Sequence, residues 1–174
     1  MSFSGRFTIT KQDNIQYNYF RIQRKLTGLA AMAFVILALL VSLIRYGQGV
    51  SIQNAVLGAL AVAAGGAALL IGFQMASVVF RVNSLYKKGK MADFTVHYVV
   101  DQTGIHAKSE RGDADYAWKQ ILLARETRHA FYLIAGKDRA VVIPKGQIAG
   151  EKELNALRAL FRKYVAAERA QVAK

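Results

Sequence analysis

The amino-acid sequence predicts a membrane α-helical hairpin joined to an α+β domain, with antiparallel strands closed by a C-terminal helix. Three observations predict it. Two long runs, residues 26–44 and 55–80, carry no charged side chain. Lys and Arg cluster outside those runs rather than between them. After residue 80 the composition becomes mixed and charged, and the apolar residues take the period of two that marks strands. The division of the 174 residues is then an N-terminal strand and helix (1–25), a first span (26–44), a connector (45–54), a second span (55–80) and a β domain with a final helix (81–174).

Residues 6–10 alternate as a short strand. Thr10 followed by Asp13 reads as a helix N-cap with an acid at its third position. A helix from Asp13 would lead into the membrane, and the lone strand before it needs a sheet to join. That sheet is expected to be the one built from residues 94–143.

The first span, LTGLAAMAFVILALLVSLI, is about 28 Å long at 1.5 Å per residue, close to the hydrocarbon thickness. The second is longer and can tilt. Neither has a polar face, which argues against two buried helices of a soluble protein. Asp13 and the late start of the first run exclude a secretory signal peptide. Arg21, Arg24 and Lys25 precede the first span, and Arg81, Lys87, Lys88 and Lys90 follow the second, whereas the connector offers only Arg45. Positive charge is retained on the cytoplasmic side, so both termini are expected in the cytoplasm and Gly47 outside.

The second span also carries small residues at steps of three and four: Ala55, Gly58, Ala61, Gly65, Ala68, Gly72 and Ala76. Close backbone approach drives helix association in lipid. Gly58, Ala61, Gly65, Ala68 and Gly72 are therefore the candidate helix-packing residues. Gly65 is the expected point of closest approach to the first helix, which offers Gly28, Ala31, Val35, Ala38 and Ser42. A dimer or partner-protein interface is the other use of the stripe. No ionisable residue lies inside either span, which speaks against a proton or ion pathway.

Residues 94–100 read as a strand, Asp101, Gln102, Thr103 and Gly104 as a turn, and residues 105–109 as the returning strand. Residues 110–113 read as a polar loop, and 115–127 as one or two strands around Trp118. Residues 130–135 and 140–143 form a hairpin across Gly136, Lys137 and Asp138, and Pro144 ends the last strand. From Glu151 a helix follows, with Leu154, Leu157, Phe161 and Tyr164 on one face and Arg158, Arg162 and Lys163 outside it.

The net charge of +13 fits anionic lipid or topology determination better than nucleic acid, because it is membrane-proximal and no recognition motif accompanies it. Arg81, Lys87, Lys88 and Lys90 are the candidate anionic-lipid contacts. The absence of cysteine excludes thiol catalysis, disulfides and cysteine-based metal sites. His97, His106 and His129 sit on separate segments. If Asp101 pairs with Ile105, His97 falls opposite Ser109 and His106 opposite Val100, so no metal site is expected. No serine has a nucleophile motif around it. The expectation is therefore a chain with no catalytic residue and no cofactor.

Gly104-Ile105, Tyr116-Ala117-Trp118-Lys119-Gln120-Ile121, Glu126-Thr127, Phe131-Tyr132-Leu133-Ile134 and Ile143-Pro144-Lys145, after two spans and before a final helix, resemble the YcxB-like bacterial membrane proteins. The resemblance implies a bacterial inner-membrane location and a C-terminal domain of pleckstrin-homology-like type, an antiparallel β-sheet or sandwich capped by a helix. It transfers no catalytic residue. The expected function is a non-enzymatic membrane-anchored interaction module, exposing a basic domain to the cytoplasm and binding a protein or anionic lipid. An accessory or assembly subunit of a larger membrane complex, recruited through the small-residue face, is the alternative. The expected partners are membrane lipid and a protein partner or second copy, not nucleic acid.

Overall fold

A computed structural model describes residues 2–136, 139–166 and 168–172. Strand β1 (Phe3–Ile9) is followed by α1 (Lys11–Gly47) and α2 (Ile52–Lys87). Then come β2 (Phe94–Val100), β3 (Gly104–Ser109), β4 (Gly112–Ala117), β5 (Leu123–Glu126), β6 (Ala130–Ile134), β7 (Ala140–Pro144), α3 (Glu151–Tyr164) and a short β8 (Ala170–Gln171). The chain divides into two compact units: residues 18–88 form the helical one, and residues 1–17 with 89–174 form the other.

In the β unit, one sheet has the order β1-β2-β3-β4 and the second the order β7-β6-β5-β8. The N-terminal strand joins the sheet as its period predicts. β1 runs antiparallel to β2 from Phe3↔Val100 to Ile9↔Phe94. Alternation sends Phe3, Phe7 and Ile9, and Val96, Tyr98 and Val100, into one core with Ile105, Phe131, Leu133, Val141 and Ile143. Gly5 stands between the two β1 aromatics, where a Cβ would come within 2.8 Å of the Phe7 ring. Its missing side chain lets the Phe3 and Phe7 rings approach to 6.2 Å. The amphipathic helix α3 adds Leu154, Leu157, Leu160 and Phe161 to that core. The free edge of β1 is occupied by a side chain: Thr8 N donates to Gln147 Oε1 at 2.8 Å, and Gln147 Nε2 donates to Thr8 O at 2.7 Å. The carboxamide thus substitutes for a neighbouring strand.

Thr10 caps α1 as expected. Asp13 N donates to Thr10 Oγ1 at 3.3 Å, and Thr10 N donates back to Asp13 Oδ2 at 2.9 Å. The helix then continues without interruption into the first apolar run. The window from Lys25 to Gly47, and α2, are each long and apolar enough to cross a membrane. The side chains they leave bare include Leu39, Leu43, Leu69 and Phe73. Contiguous apolar exposure of this extent suits lipid rather than water.

Several expected boundaries shift. Only Glu110 and Arg111 separate β3 from β4, because Gly112 and Asp113 already pair with Ser109 and Lys108. Trp118 lies in a single 3₁₀ turn (Trp118–Gln120) between strands, not in a strand. Pro144 ends β7, but β8 follows α3 and pairs parallel to β5. Lys137 and Asp138, expected in the β6–β7 turn, lie outside the described residues. The β2–β3 register is one step from that expected: Val100 faces Ile105, His97 faces Lys108 and His106 faces Val99. The turn is one residue tighter than expected: Asp101 faces Gly104 rather than Ile105, and Asp101 N donates to Gly104 O at 3.0 Å. Gly104 is required here by close approach, since a Cβ would run into the Tyr116 carbonyl.

Candidate functional site

Within the helical unit, Arg81 and Lys87 lie on the last two turns of α2 and Lys88 is its C-cap. All three are exposed, and among the described residues none has an ion pair or hydrogen-bonded side chain. Lys90 is likewise exposed at the start of the other unit. Cations at a helix C-terminus are favoured by the helix dipole, so this placement costs the fold nothing and leaves the ammonium groups free to meet anions. From Asn14 to Ala92 no Asp or Glu occurs, so the helical unit itself holds no carboxylate to compete for Arg81, Lys87 and Lys88.

The small-residue stripe is split by the hairpin geometry. Ala55, Ala59 and Ala63 are the buried small residues of α2. Near mid-helix the glycine that meets α1 is Gly66, whose Cβ would stand 2.9 Å from Leu37 Cδ1. Gly65 and Gly72 would meet nothing within 4 Å, and Ala61 and Ala68 are exposed. Gly65 is therefore not the point of closest approach. The intramolecular face lies one residue round the helix, on the 55-59-63-66 row, and most of the predicted stripe turns away from α1. Gly28, expected as a partner, also meets nothing. Gly58, a member of the stripe, does face α1: the Arg45 guanidinium of that helix rests on it. Ser77 donates to Gln74 O of its own helix at 2.7 Å.

In the β unit the sequence pattern missed an ion cluster. Glu126 at the end of β5 is 8% exposed and accepts from Lys145 Nζ at 2.6 Å. It also accepts from Arg158 Nη2 at 2.7 Å and from Arg158 Nε at 3.0 Å. Arg158, expected on the solvent face of α3, is 13% exposed on its side chain and bridges α3 to β5. The paired carboxylate holds the guanidinium above its usual range, hydrogen bonding leading and burial opposing. The signal that could have found it is the pair of short motifs ending at Thr127 and Lys145, since each places a charge beside an apolar run.

His106 sits in a second network. Its Nδ1 lies 2.6 Å from Asp115 Oδ1 and its Nε2 lies 2.9 Å from Thr103 Oγ1. Thr103 Oγ1 donates to Asp101 Oδ1 at 2.6 Å, so it accepts from the imidazole. Both ring nitrogens then donate, which is the protonated form. The Asp115 hydrogen bond accordingly raises the His106 pKa, and the Thr103 hydrogen bonds lower that of Asp101. His97 pairs instead with Ser4 Oγ at 3.0 Å. Among the described residues no group of three or more His, Asp or Glu side chains is placed to hold a metal ion.

Trp118 is an anchor. Its ring stacks on Tyr164 at 5.3 Å and meets Phe161 edge-on at 6.2 Å, and its Nε1 donates to Asp101 O at 2.9 Å. One side chain thus ties the β2–β3 turn, the 3₁₀ turn and α3 together.

Residues 100–161 match the family model described as YcxB-like protein, so the chain carries a YcxB-like domain. The match runs from the end of β2 into α3, and includes Trp118 and all three members of the Glu126 cluster. Comparison with the curated proteins and with the solved structures finds no match.

Proposed function

We propose that this chain, with its YcxB-like domain, is a non-enzymatic membrane-anchored module of a bacterial inner membrane. The proposal places both termini in the cytoplasm, where the module engages anionic lipid headgroups through Arg81, Lys87, Lys88 and Lys90. The observation that carries this reading is the acid-free stretch from Asn14 to Ala92, ending in exposed and unpaired cations directly after an apolar helix. Each such cation contributes about 1 kcal/mol of attraction to an anionic leaflet. The β unit supports a pleckstrin-homology-like reading: a sheet of four antiparallel strands, a second sheet of three antiparallel strands with the short β8 added parallel to β5, and a closing helix. The membrane hairpin is inserted between its first and second strands.

The test is lipid selectivity around the full chain in nanodiscs. Enrichment of phosphatidylglycerol over phosphatidylcholine is measured for the parent and for Lys87→Gln/Lys88→Gln/Lys90→Gln. The parent is expected to enrich the anionic lipid severalfold and the triple variant to lose most of that. Equal enrichment in both would leave the collar a topology signal only.

A second reading has its own observation. Ala61, Gly65, Ala68 and Gly72 face away from α1 and are uncovered within the chain, which favours an accessory subunit recruited through α2. A stoichiometric partner co-purifying in mild detergent, and lost on Gly65→Leu, would establish it in place of the lipid module.

A further inference from the structure

Arg45 is the single charge between residues 26 and 80, and its side chain takes an unusual course. It lies two residues short of the end of α1, about 3 Å of helix. Gly58 lies six residues into α2, about 9 Å of helix. The guanidinium nonetheless rests on Gly58: a Cβ there would overlap Nη1 and stand 2.9 Å from Cζ. A cation near the end of a spanning helix ordinarily reaches outward to the aqueous interface. This one is turned inward along the helix pair, into a notch that exists because residue 58 has no side chain. Arg45 is half-buried, and among the described residues its side chain has no hydrogen bond or ion pair. Nor can its own unit supply an anion, because residues 14–92 contain no Asp or Glu.

We propose that the Arg45–Gly58 notch binds the phosphate of a membrane phospholipid in the leaflet at the connector end of the hairpin. A half-buried guanidinium needs its donors satisfied. Its planar fork matches two phosphate oxygens, and a lipid phosphodiester is the anion that the surroundings of an acid-free hairpin provide. Gly58 sets the position, since Nη1 points end-on at it and the opposite Nε–Nη2 edge of the guanidinium is left for the ligand. The inference rests on the membrane reading of the helices but is independent of the basic collar, which follows the other end of α2.

Delipidated full chain in mild detergent is titrated with phosphatidylglycerol, and bound lipid is counted by native mass spectrometry. Diacylglycerol with the same chains and inorganic phosphate serve as comparison ligands. Arg45→Gln and Gly58→Ala should each weaken one lipid site by about tenfold or more. Lys87→Gln/Lys88→Gln/Lys90→Gln should keep that site. Gly58→Ala is the more telling variant: it raises helix propensity, so loss of lipid in a protein of undiminished helicity comes from the filled notch. Resistance of the parent to carbonate extraction separates failure of the site from failure of the membrane reading. Equal binding by parent and both variants overturns the proposal. So does equal affinity for inorganic phosphate, which would make the source a free anion. So does a parent that holds no phospholipid but co-purifies an acidic membrane protein lost on Arg45→Gln.

Discussion

Glu126 shows what a buried charge commits the fold to. Its carboxylate is almost wholly removed from water and is satisfied by Lys145 and Arg158, from two other elements. Breaking such a cluster by removing one member leaves uncompensated charge and costs about 3–5 kcal/mol. Glu126→Gln should therefore lower the melting temperature of the full chain in detergent by more than about 10 °C. The readout is intrinsic: Trp118 is the sole tryptophan and stacks on Tyr164 of α3, so its fluorescence follows release of that helix. An unchanged transition would mean that α3 is held by its apolar face alone. At this scale the sequence was informative where partners are near along the chain. Thr10 with Asp13, and Asp101 with Thr103, are local pairs dictated by backbone geometry. Arg158 and Glu126 are 32 residues apart. No helical period distinguishes an arginine facing water from one reaching across a sheet end.

Elements were legible in proportion to how much their own period decides them. The two apolar helices and α3 are specified by composition and by a repeat near 3.6 residues. The start of α1 was legible from the cap formed by Thr10 and Asp13, well before the apolar run, whereas its end at Gly47 lies past the last residue of that run. β4 was obscured by polar side chains on an edge strand, where Asp113 and Asp115 are exposed. The stretch around Trp118 left one or two strands open, and contacts with Tyr164 and Phe161 accompany its place in a tight turn that separates β4 from β5. The stripe on α2 shows a sharper limit: small residues identify a helix that can be approached closely, not the azimuth from which the approach comes. The geometry now distinguishes two neighbouring glycines. Gly66→Leu should push Leu37 away and reduce the thermal stability and monodispersity of the purified chain. Gly65→Leu should leave the hairpin as stable as the parent, since it meets nothing in its own unit. Size-exclusion profiles and melting curves in one detergent check both, and the reverse order of severity would refute the contact row assigned here.

For the whole molecule, the pairing of β1 with β2 constrains how the chain can sit in a bilayer. Ile9 and Phe94 are direct partners in one sheet, and Lys11 N donates to Asp93 Oδ1 at 2.8 Å beside them. The chain thus leaves the β unit and returns to it at a single place, with α1 and α2 as the connection. Strands of one sheet cannot lie on opposite sides of a membrane, so the number of crossings between residues 9 and 94 must be even. The two apolar helices either both cross or neither does. This requirement comes from hydrogen-bonded register and owes nothing to charge. The choice of side comes from charge alone: seven Lys and Arg flank the outer ends of the spans against Arg45 in the connector. The two arguments fail separately under one measurement. With single cysteines replacing Gly47 and Gly146, a membrane-impermeant maleimide should label the first in intact cells and the second only after permeabilisation. Labelling of Gly146→Cys alone would reverse the orientation while preserving the pairing. Labelling that placed β1 and β2 on opposite faces, with a third cysteine at the exposed Ser4, would break the sheet itself, and the β unit could not then form.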